Sequence, residues 1–216
     1  MKDIAIFGAG GLGREVACLI KRINESLFEP KWSIIGFFDD GKPKGTSISH
    51  FGNVLGGIEE INAFKEPLDL ALAIANPSVT KRIATSITNN QISYPNLIDP
   101  TLLVVDPETF DIGYGNIIHR GCLFSCSVKI GNFNILNGKV TLGHDVTVGD
   151  FNAIMPSVNI SGEVTIGDGN FFGVGSIVLQ QLSVGNGVRL GAGSVMMTKP
   201  KDGCLYIGNP AKRFKY

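Results

Sequence analysis

The 216-residue chain has no excess of charge of either sign and no long uninterrupted apolar segment. Its 19 lysine and arginine residues balance 19 aspartate and glutamate residues, so charge gives no reason to expect nucleic acid or a membrane surface as a partner. No apolar run approaches the roughly 18 residues of a transmembrane helix, and the N-terminus lacks the apolar core of a signal peptide. We therefore expect a cytoplasmic protein.

Cysteine is scarce as well, and its spacing does not indicate a metal site. Zinc sites combine pairs of closely spaced cysteines or histidines; Cys122 and Cys126 are four apart, but the four cysteines as a set lack this paired spacing. Reduced thiols are expected, without structural disulfides and without a bound metal. The four cysteines are Cys18, Cys122, Cys126 and Cys204.

A six-residue period of bulky apolar residues occupies the C-terminal half. A step of six fits neither a helix, with a period of about 3.6, nor a strand, with a period of about two. Pairs of an apolar residue and glycine recur every third step, from Ile112-Gly113 to Val184-Gly185. This pattern predicts a coil with three short sides, each with one apolar anchor facing the axis. The anchors are Ile112, Ile118, Phe124, Ile130, Leu136, Leu142, Val148, Ile154, Ile160, Ile166, Phe172, Val178, Val184, Leu190 and Met196.

Residues suited to corners recur in the same stretch. Asparagine tolerates the left-handed backbone conformation that corners require, and glycine adopts it freely. One coil cannot bury its anchors alone, so the repeat predicts a stacked core whose open ends favour capping or self-association. The corner candidates are Asn116, Asn134, Asn152, Asn170, Gly173, Gly175, Gly191 and Gly193.

The N-terminal half shows alternating strand and helix patterns instead. A strand over 3–7 leads into the spacing Gly8-x-Gly10-x-x-Gly13 and a helix to about residue 23. A second strand, 32–38, ends at Asp39-Asp40, and a third, 68–75, precedes a helix over 78–88. The order predicts a small parallel sheet with a ligand crevice at the carboxyl ends of its strands.

The glycine spacing admits two interpretations. It brings backbone amides and a helix N-terminus close to a phosphate, and Asp39 would then hold a ribose hydroxyl. Because this region is too short for the two halves of a dinucleotide fold, a mononucleotide or a sugar nucleotide is the better candidate ligand. Alternatively, the glycines only turn the chain, and Asp39-Asp40 begin a solvated loop.

A segment with two prolines, residues 94–100, marks the passage between these halves. Residues before proline favour extended conformations, which suits a bridge onto the coil. We expect a Rossmann-like domain over 1–95 and a β-helix domain with a C-terminal tail over 96–216.

The combined order of these motifs resembles the hexapeptide-repeat acyltransferases. The glycine turn, Asp39-Asp40, the six-residue repeat and a closing segment over 208–212 are similar to one bacterial family. It comprises sugar-nucleotide N-acetyltransferases of the bacillosamine and perosamine type and the related sialic acid O-acetyltransferases. The resemblance implies a left-handed parallel β-helix, acetyl-CoA as co-substrate, and a homotrimer with active sites between subunits.

The same resemblance implies roles for individual residues. His144 would be the general base, because imidazole titrates near working pH, and Asp145 would orient it. Small residues along the later coils would leave room for acetyl-CoA, and Lys212 would meet its phosphates. The implied coenzyme contacts are Gly162, Gly173, Val174, Gly191, Ala192 and Lys212. The implied contacts to the nucleotide sugar are Gly10, Gly11, Leu12, Asp39, Asp40 and Ala75.

Two departures from the family pattern keep the acceptor open. Leu12 and Ala153 stand where some members carry histidine, so neither the sugar nor the choice between amine and hydroxyl is fixed. Two further classes are weighed against the acetyltransferase. A zinc hydratase of the γ-carbonic anhydrase type needs three convergent histidines, and the repeat contains only His119 and His144. A nucleotide-binding protein without catalysis would bind at the N-terminal crevice and not bind coenzyme A.

Overall fold

The computed structural model describes residues 1–215, which fall into two compact units, Met1–Pro100 and a second beginning at Thr101. The sequence-based boundary lies earlier, at residue 95. An ion pair accounts for the difference: Arg22 Nε donates to the carboxylate of Asp99 at 2.9 Å, and the Asp99 side chain is only 2% exposed. The Asp99 carboxylate raises the pKa of Arg22 through this hydrogen bond and its charge. The segment before Pro100 is therefore held on the first unit.

The first unit is a parallel sheet with helices between its strands, as predicted. Its strand order is β3-β2-β1-β4-β5, which is the alternating arrangement of a Rossmann-like half-domain. The elements are β1 (Lys2–Phe7), α1 (Gly11–Glu25), β2 (Trp32–Phe38), β3 (Val54–Gly56), α2 (Ile58–Asn62), β4 (Leu68–Leu72), α3 (Pro77–Ser86), β5 (Ile92–Ser93) and β6 (Leu97–Ile98).

Local sequence explains where these elements begin and how they pack. Asn76 caps α3, its side-chain oxygen accepting from the Ser78 amide at 3.1 Å, and Pro77 occupies the first turn, where no amide partner is needed. Buried Trp32 donates its indole N–H to Asp69 at 2.7 Å, so the carboxylate on β4 is satisfied within the core. Within residues 1–215, no helix is both long and apolar enough to cross a bilayer.

The second unit is a parallel β-helix of two-residue strands. Successive turns add strands to the same three sheets, and β24 closes one sheet as an antiparallel edge, among the described residues. Its strands are β7 (Leu103–Val104), β8 (Asp111–Ile112), β9 (Ile117–Ile118), β10 (Leu123–Phe124), β11 (Lys129–Ile130), β12 (Ile135–Leu136), β13 (Thr141–Leu142), β14 (Thr147–Val148), β15 (Ala153–Ile154), β16 (Asn159–Ile160), β17 (Thr165–Ile166), β18 (Phe171–Phe172), β19 (Ile177–Val178), β20 (Ser183–Val184), β21 (Arg189–Leu190), β22 (Val195–Met196), β23 (Leu205–Ile207) and β24 (Lys212–Phe214).

The predicted anchors are the second residues of these strands, and they form the core. Every anchor from Ile118 to Met196 is buried, whereas Ile112, in an early turn, is half-buried. Each anchor stacks on the residue eighteen positions away, as Leu142 does between Phe124 and Ile160. Each side of a coil therefore takes six residues, and residues eighteen positions apart stack on one another in adjacent coils.

The asparagines have a different role from the one predicted. They are buried, and none has a positive φ; the residue before each of them, such as Phe133 or Phe151, takes the left-handed conformation instead. The side-chain oxygens of the first three asparagines each accept the backbone N–H of the next one, as Asn134 N donates to Asn116 Oδ1 at 2.9 Å, and Asn170 Oδ1 accepts from Val188 N at 2.7 Å. The amide side chains thus satisfy buried backbone donors, which an apolar residue of the same size would leave unpaired.

The glycine corners are confirmed only in part. Gly175 and Gly193 have φ values of 66° and 64°, but Gly173 and Gly191 do not lie in the left-handed region. Gly173 has another reason to be glycine, because a Cβ there would lie 2.5 Å from the Ala192 nitrogen in the next coil.

Candidate functional site

The dipeptide His144-Asp145 occupies a corner between β13 and β14. Asp145 takes the left-handed conformation, with φ of 58°, and its N–H donates to the Cys126 carbonyl in the preceding coil at 2.9 Å. The His144 carbonyl accepts from Glu163 in the following coil at 2.8 Å. The backbone at this corner is therefore fixed by the coils on both sides.

The two side chains form an exposed hydrogen-bonded pair. His144 Nδ1 lies 2.8 Å from Asp145 Oδ2, and the side chains are 57% and 59% exposed. A carboxylate without a proton can only accept a hydrogen bond, so this pairing favours the tautomer that carries its proton on Nδ1 and its lone pair on Nε2. More than half of the His144 side chain therefore faces solvent at this corner.

Gly162 lies against this imidazole from the next coil. A Cβ on Gly162 would lie 2.5 Å from His144 Nε2, 2.7 Å from Cε1 and 2.8 Å from Cδ2. Such distances are shorter than those of real Cβ contacts, so the ring occupies the place where a side chain would stand. The structure thus brings Gly162 together with His144 and Asp145.

The other residues implied for coenzyme binding lie at a different corner, after β18 and β21. Val174 is 53% exposed and stacks on exposed Ala192, since Gly193 N donates to the Val174 carbonyl at 2.8 Å. Gly173 is buried and Gly191 is half-buried beneath them. Val174 and Ala192 therefore form a small exposed surface at this corner, with the two glycines beneath it.

Lys212 begins the edge strand β24 and is exposed. A cavity of about 370 Å³ lies beside this strand, lined by the basic side chains of Arg189, Arg213 and Lys215. Lys212 is not among its lining residues. Sequence analysis missed Arg189 here, because its place in the repeat resembles any other outward position.

In the first unit, three loops meet at the carboxyl edge of the parallel sheet. The loop after β1 contains Gly10 and leads into Gly11, the first residue of α1; the loop after β2 contains Asp39 and Asp40, and the loop after β4 contains Ala75. Leu12 lies one residue further, in the first turn of α1, and is half-buried. The structure therefore gathers all six residues implied for the nucleotide sugar at one edge of this unit.

The glycines of this loop have separate roles. Gly8 has φ of 108°, and a Cβ there would lie 2.6 Å from the Ala73 carbonyl oxygen; Gly13 packs its Cα against the Gly8 carbonyl. In contrast, a Cβ on Gly10 or Gly11 would meet nothing within 4 Å. The outer glycines are required by the fold, whereas the middle pair leaves open space in front of the N-terminus of α1.

The two aspartates are partly engaged in the protein's own structure. Asp39 Oδ2 accepts from Ala9 N at 2.8 Å and its Oδ1 from Gly41 N at 2.9 Å, so this carboxylate ties the glycine loop to β2. Asp40 Oδ1 accepts from Ile58 N at 2.9 Å. These hydrogen bonds argue against the alternative in which Asp39 and Asp40 only begin a solvated loop.

A cavity of about 480 Å³ adjoins the aspartates in this unit. Its lining includes Asp39, Asp40, Lys42 and Lys44 together with Glu60. The Gly57 amide donates to Glu60 Oε2 at 2.7 Å, and this hydrogen bond lowers the pKa of Glu60. Sequence analysis missed the two lysines, which stand in a loop without a recognisable motif.

The chain is similar to known proteins in both sequence and fold. Residues 3–87 match the family described as the PglD N-terminal domain. The whole fold superposes on the acetyltransferase domain of PglB from Neisseria gonorrhoeae FA1090, solved in complex with acetyl coenzyme A. The sequences are 30% identical, 99% of each chain is covered, and the TM-score is 0.87. The chain belongs to the hexapeptide-repeat acetyltransferase family.

Two more solved structures share the fold at lower identity. PerB from Caulobacter crescentus, solved with CoA and GDP-perosamine, is 24% identical over 100% of this chain and 98% of its own, with a TM-score of 0.86. WeeI from Acinetobacter baumannii AYE is 24% identical over 99% of this chain and 100% of its own, with a TM-score of 0.85. Among curated protein sequences, no relative matches.

Membership of the hexapeptide-repeat family confirms two predictions. The coiled unit is a left-handed parallel β-helix following an α/β domain, and the protein is an acyltransferase. Across residues 1–215, no group of three or more histidine, cysteine, aspartate or glutamate side chains is arranged to hold a metal ion.

Proposed function

We propose that this protein transfers the acetyl group of acetyl-CoA to the amino group of a nucleotide-linked 4-amino sugar. The observation that carries the proposal is the His144–Asp145 pair, with a 2.8 Å hydrogen bond and a His144 side chain that is 57% exposed. The PglB domain, which this chain matches over 99% of its length, is known in complex with acetyl coenzyme A.

The reaction follows from the protonation state of this pair. Nε2 accepts a proton from the acceptor nitrogen as that nitrogen attacks the thioester carbonyl, and a C–N bond forms. The C–S bond then breaks, and the imidazolium returns the proton to the departing thiolate of CoA. Asp145 holds the tautomer and stabilises the charged ring between these two steps.

The first unit would bind the nucleotide. The open space before Gly10 and Gly11 lets a diphosphate approach the backbone amides at the N-terminus of α1, a 15-residue helix whose dipole favours negative charge. Asp40 and the half-buried Leu12 and Ala75 border the same edge and would contact the nucleoside or the sugar. Asp39 would act chiefly by holding the loop, because both of its oxygens accept backbone N–H groups.

The coiled unit would bind acetyl-CoA along the column of Gly173, Val174, Gly191 and Ala192. Small side chains leave room for the pantetheine arm, and exposed backbone can bond its amides. Lys212 would meet the coenzyme phosphates as an exposed cation.

A homotrimer is proposed with this site. Leu103 and Leu123 are paired in register on the outside of one sheet and are 55% and 38% exposed. Outward positions of the sheet containing β8, such as Asp111, Lys129 and Thr147, are polar and exposed. The difference favours the leucine-bearing sheet as a contact between copies of the chain.

The test measures free thiol released from acetyl-CoA in the presence of nucleotide-linked 4-amino sugars. We expect release with at least one acceptor and a base-stable amide product; an O-acetyl ester would be cleaved by mild alkali. His144→Ala should lower the rate about 10²- to 10⁴-fold, the usual contribution of a general base. Absence of release from every acceptor, or an undiminished rate in His144→Ala, would contradict the proposal.

A further inference from the structure

We propose that Gly162 is a positioning residue for His144: its bare Cα is the surface on which the imidazole lies so that Nδ1 reaches Asp145. This inference rests on the proposed function, because it concerns the general base. It assigns to Gly162 a different role from the coenzyme contact that family resemblance implies. The two roles make different predictions, and they can be separated by experiment.

The position of the ring over Gly162 follows from three distances. A Cβ on Gly162 would lie 2.5 Å from Nε2, 2.7 Å from Cε1 and 2.8 Å from Cδ2 of His144. If the Cβ approached along the Nε2 lone pair, in the ring plane, the two carbons would be much farther away than the nitrogen. The nearly equal distances place Gly162 against the face of the ring, so it supports the imidazole without covering the lone pair.

A side chain at this position would have to displace the ring. Gly162 is held by its neighbours: its carbonyl accepts from Gln181 N at 3.0 Å, and the adjacent Glu163 N donates to the His144 carbonyl at 2.8 Å. The Asp145 backbone is fixed by the Cys126 carbonyl at 2.9 Å. The exposed imidazole is the part that can move, and when it moves, Nδ1 separates from the Asp145 carboxylate.

Backbone conformation does not require glycine at position 162. Its φ lies outside the left-handed region, and the left-handed residue of this corner is Glu163, with φ of 58°. Alanine is therefore compatible with the backbone. Gly138 offers a matched control in the same unit, because its φ is also ordinary and a Cβ there would lie 3.5 Å from the Arg120 carbonyl oxygen.

The first experiment reads the imidazole directly. The chain has three histidines, so nitrogen NMR of the full-length labelled protein gives few ring signals, and His144→Ala assigns the relevant one. We expect the Nδ1-protonated tautomer in the natural protein and in Gly138→Ala. In Gly162→Ala we expect the tautomer mixture of a solvated imidazole. An unchanged tautomer in Gly162→Ala, or a different tautomer in the natural protein, would overturn the inference whether or not the enzyme turns over.

Kinetics then separate positioning from coenzyme contact. Gly162→Ala should lower kcat about 10- to 100-fold, which is at most the lower end of the contribution of a general base, because the displaced imidazole is still present; KM for acetyl-CoA should change less than about twofold. A raised KM with unchanged kcat would show a coenzyme contact and reject the positioning role. Absence of activity in the natural protein would refute the proposed reaction, and the NMR result would still decide the inference.

A double-mutant cycle guards against a folding defect. If the added methyl collides only with the imidazole, Gly162→Ala should lower the unfolding midpoint in the natural background and leave it unchanged in His144→Ala. Equal losses in both backgrounds would show that the methyl disturbs the coil itself, and the inference would fail.

Discussion

The two units place their functional residues by different physical rules. In the β-helix, a residue's surroundings are set by the coils before and after it, as the Cys126 carbonyl binds the Asp145 amide on one side and Gly162 lies against His144 on the other. In the Rossmann-like unit, the site is made by loops brought together by strand order, as when Asp39 binds Ala9 thirty positions away. In the repeat, the sequence spacing therefore predicts which positions lie next to each other. In the parallel sheet, the contacts between loops depend on strand order and cannot be predicted from spacing.

The largest effect is expected from a substitution that leaves a cavity in the core of the β-helix. Phe172 is 1% exposed, and Phe172→Ala should lower the free energy of unfolding of the coiled unit by about 3–5 kcal/mol. Val174→Ala, two residues away and 53% exposed, should change it by less than about 0.5 kcal/mol. Urea unfolding of both variants measures the contrast, and similar losses at the two positions would contradict the inward and outward assignment.

The next prediction concerns the catalytic corner. Asp145→Asn keeps the side-chain shape and tolerates the left-handed backbone, but it removes the charge that favours protonation of His144 Nδ1. We expect kcat to fall about 10²-fold, at the lower end of general-base effects because the pair is exposed. Steady-state kinetics with saturating acetyl-CoA test this, with Glu163→Gln, the following corner residue, as control. A kcat within twofold of the natural enzyme would remove Asp145 from the mechanism.

A smaller effect is expected in the N-terminal crevice. Asp39→Ala removes the acceptor of the Ala9 and Gly41 amides, so the glycine loop should loosen at a cost of about 1–2 kcal/mol in unfolding free energy. Affinity for a nucleoside diphosphate should fall as well, because the loop no longer presents its amides. Calorimetric titration with a nucleoside diphosphate measures the affinity, and urea unfolding measures the stability. Both are compared between Asp39→Ala and Asp40→Ala. If Asp39→Ala lost affinity for the nucleoside diphosphate but kept its stability, a direct contact between Asp39 and the ribose would be favoured instead.

The smallest predicted effect is a pH dependence. The Gly57 amide lowers the pKa of Glu60, so the folded state binds a proton at this carboxylate less readily than the unfolded state. The corresponding stability is present above the unfolded pKa of 4.5 and is lost as pH falls through the lower folded pKa. The difference in unfolding free energy between the natural protein and Glu60→Gln should therefore shrink on acidification. A constant difference across this range would contradict the hydrogen bond as its source.

Sequence periodicity predicted the coil because each anchor contributes independently to one repeated pattern. The anchor Ile112 is the exception, since a residue in an early turn has fewer neighbours to cover it. The asparagine positions were recognised, but their role was wrong, because spacing shows where a residue recurs and not whether it points inward. The coenzyme role of Gly162 came from family resemblance and stays a prediction; its closeness to the imidazole depends on the direction of the His144 side chain, which spacing does not show.

The N-terminal unit was predicted in outline and not in detail. Strand and helix order followed from local patterns, and Gly10 and Asp39 were placed at the correct edge by topology. The engagement of Asp39 with Ala9, and the ion pair of Arg22 with Asp99 that moves the boundary to Pro100, join residues far apart in the chain. No local pattern contains such partners.

The stacked asparagines of the β-helix, Asn116 to Asn170, limit how this protein can change in length. Each amide oxygen serves a donor one full turn onward, from Asn116 through Asn170 to the Val188 amide at 2.7 Å. An insertion or deletion that is not a multiple of eighteen residues would put an aliphatic side chain where an asparagine side chain is needed. A buried backbone N–H would then lack its hydrogen-bond acceptor. The coiled unit can therefore lengthen or shorten only by whole turns, and a chimera that adds a complete turn should be tolerated where a half-turn is not.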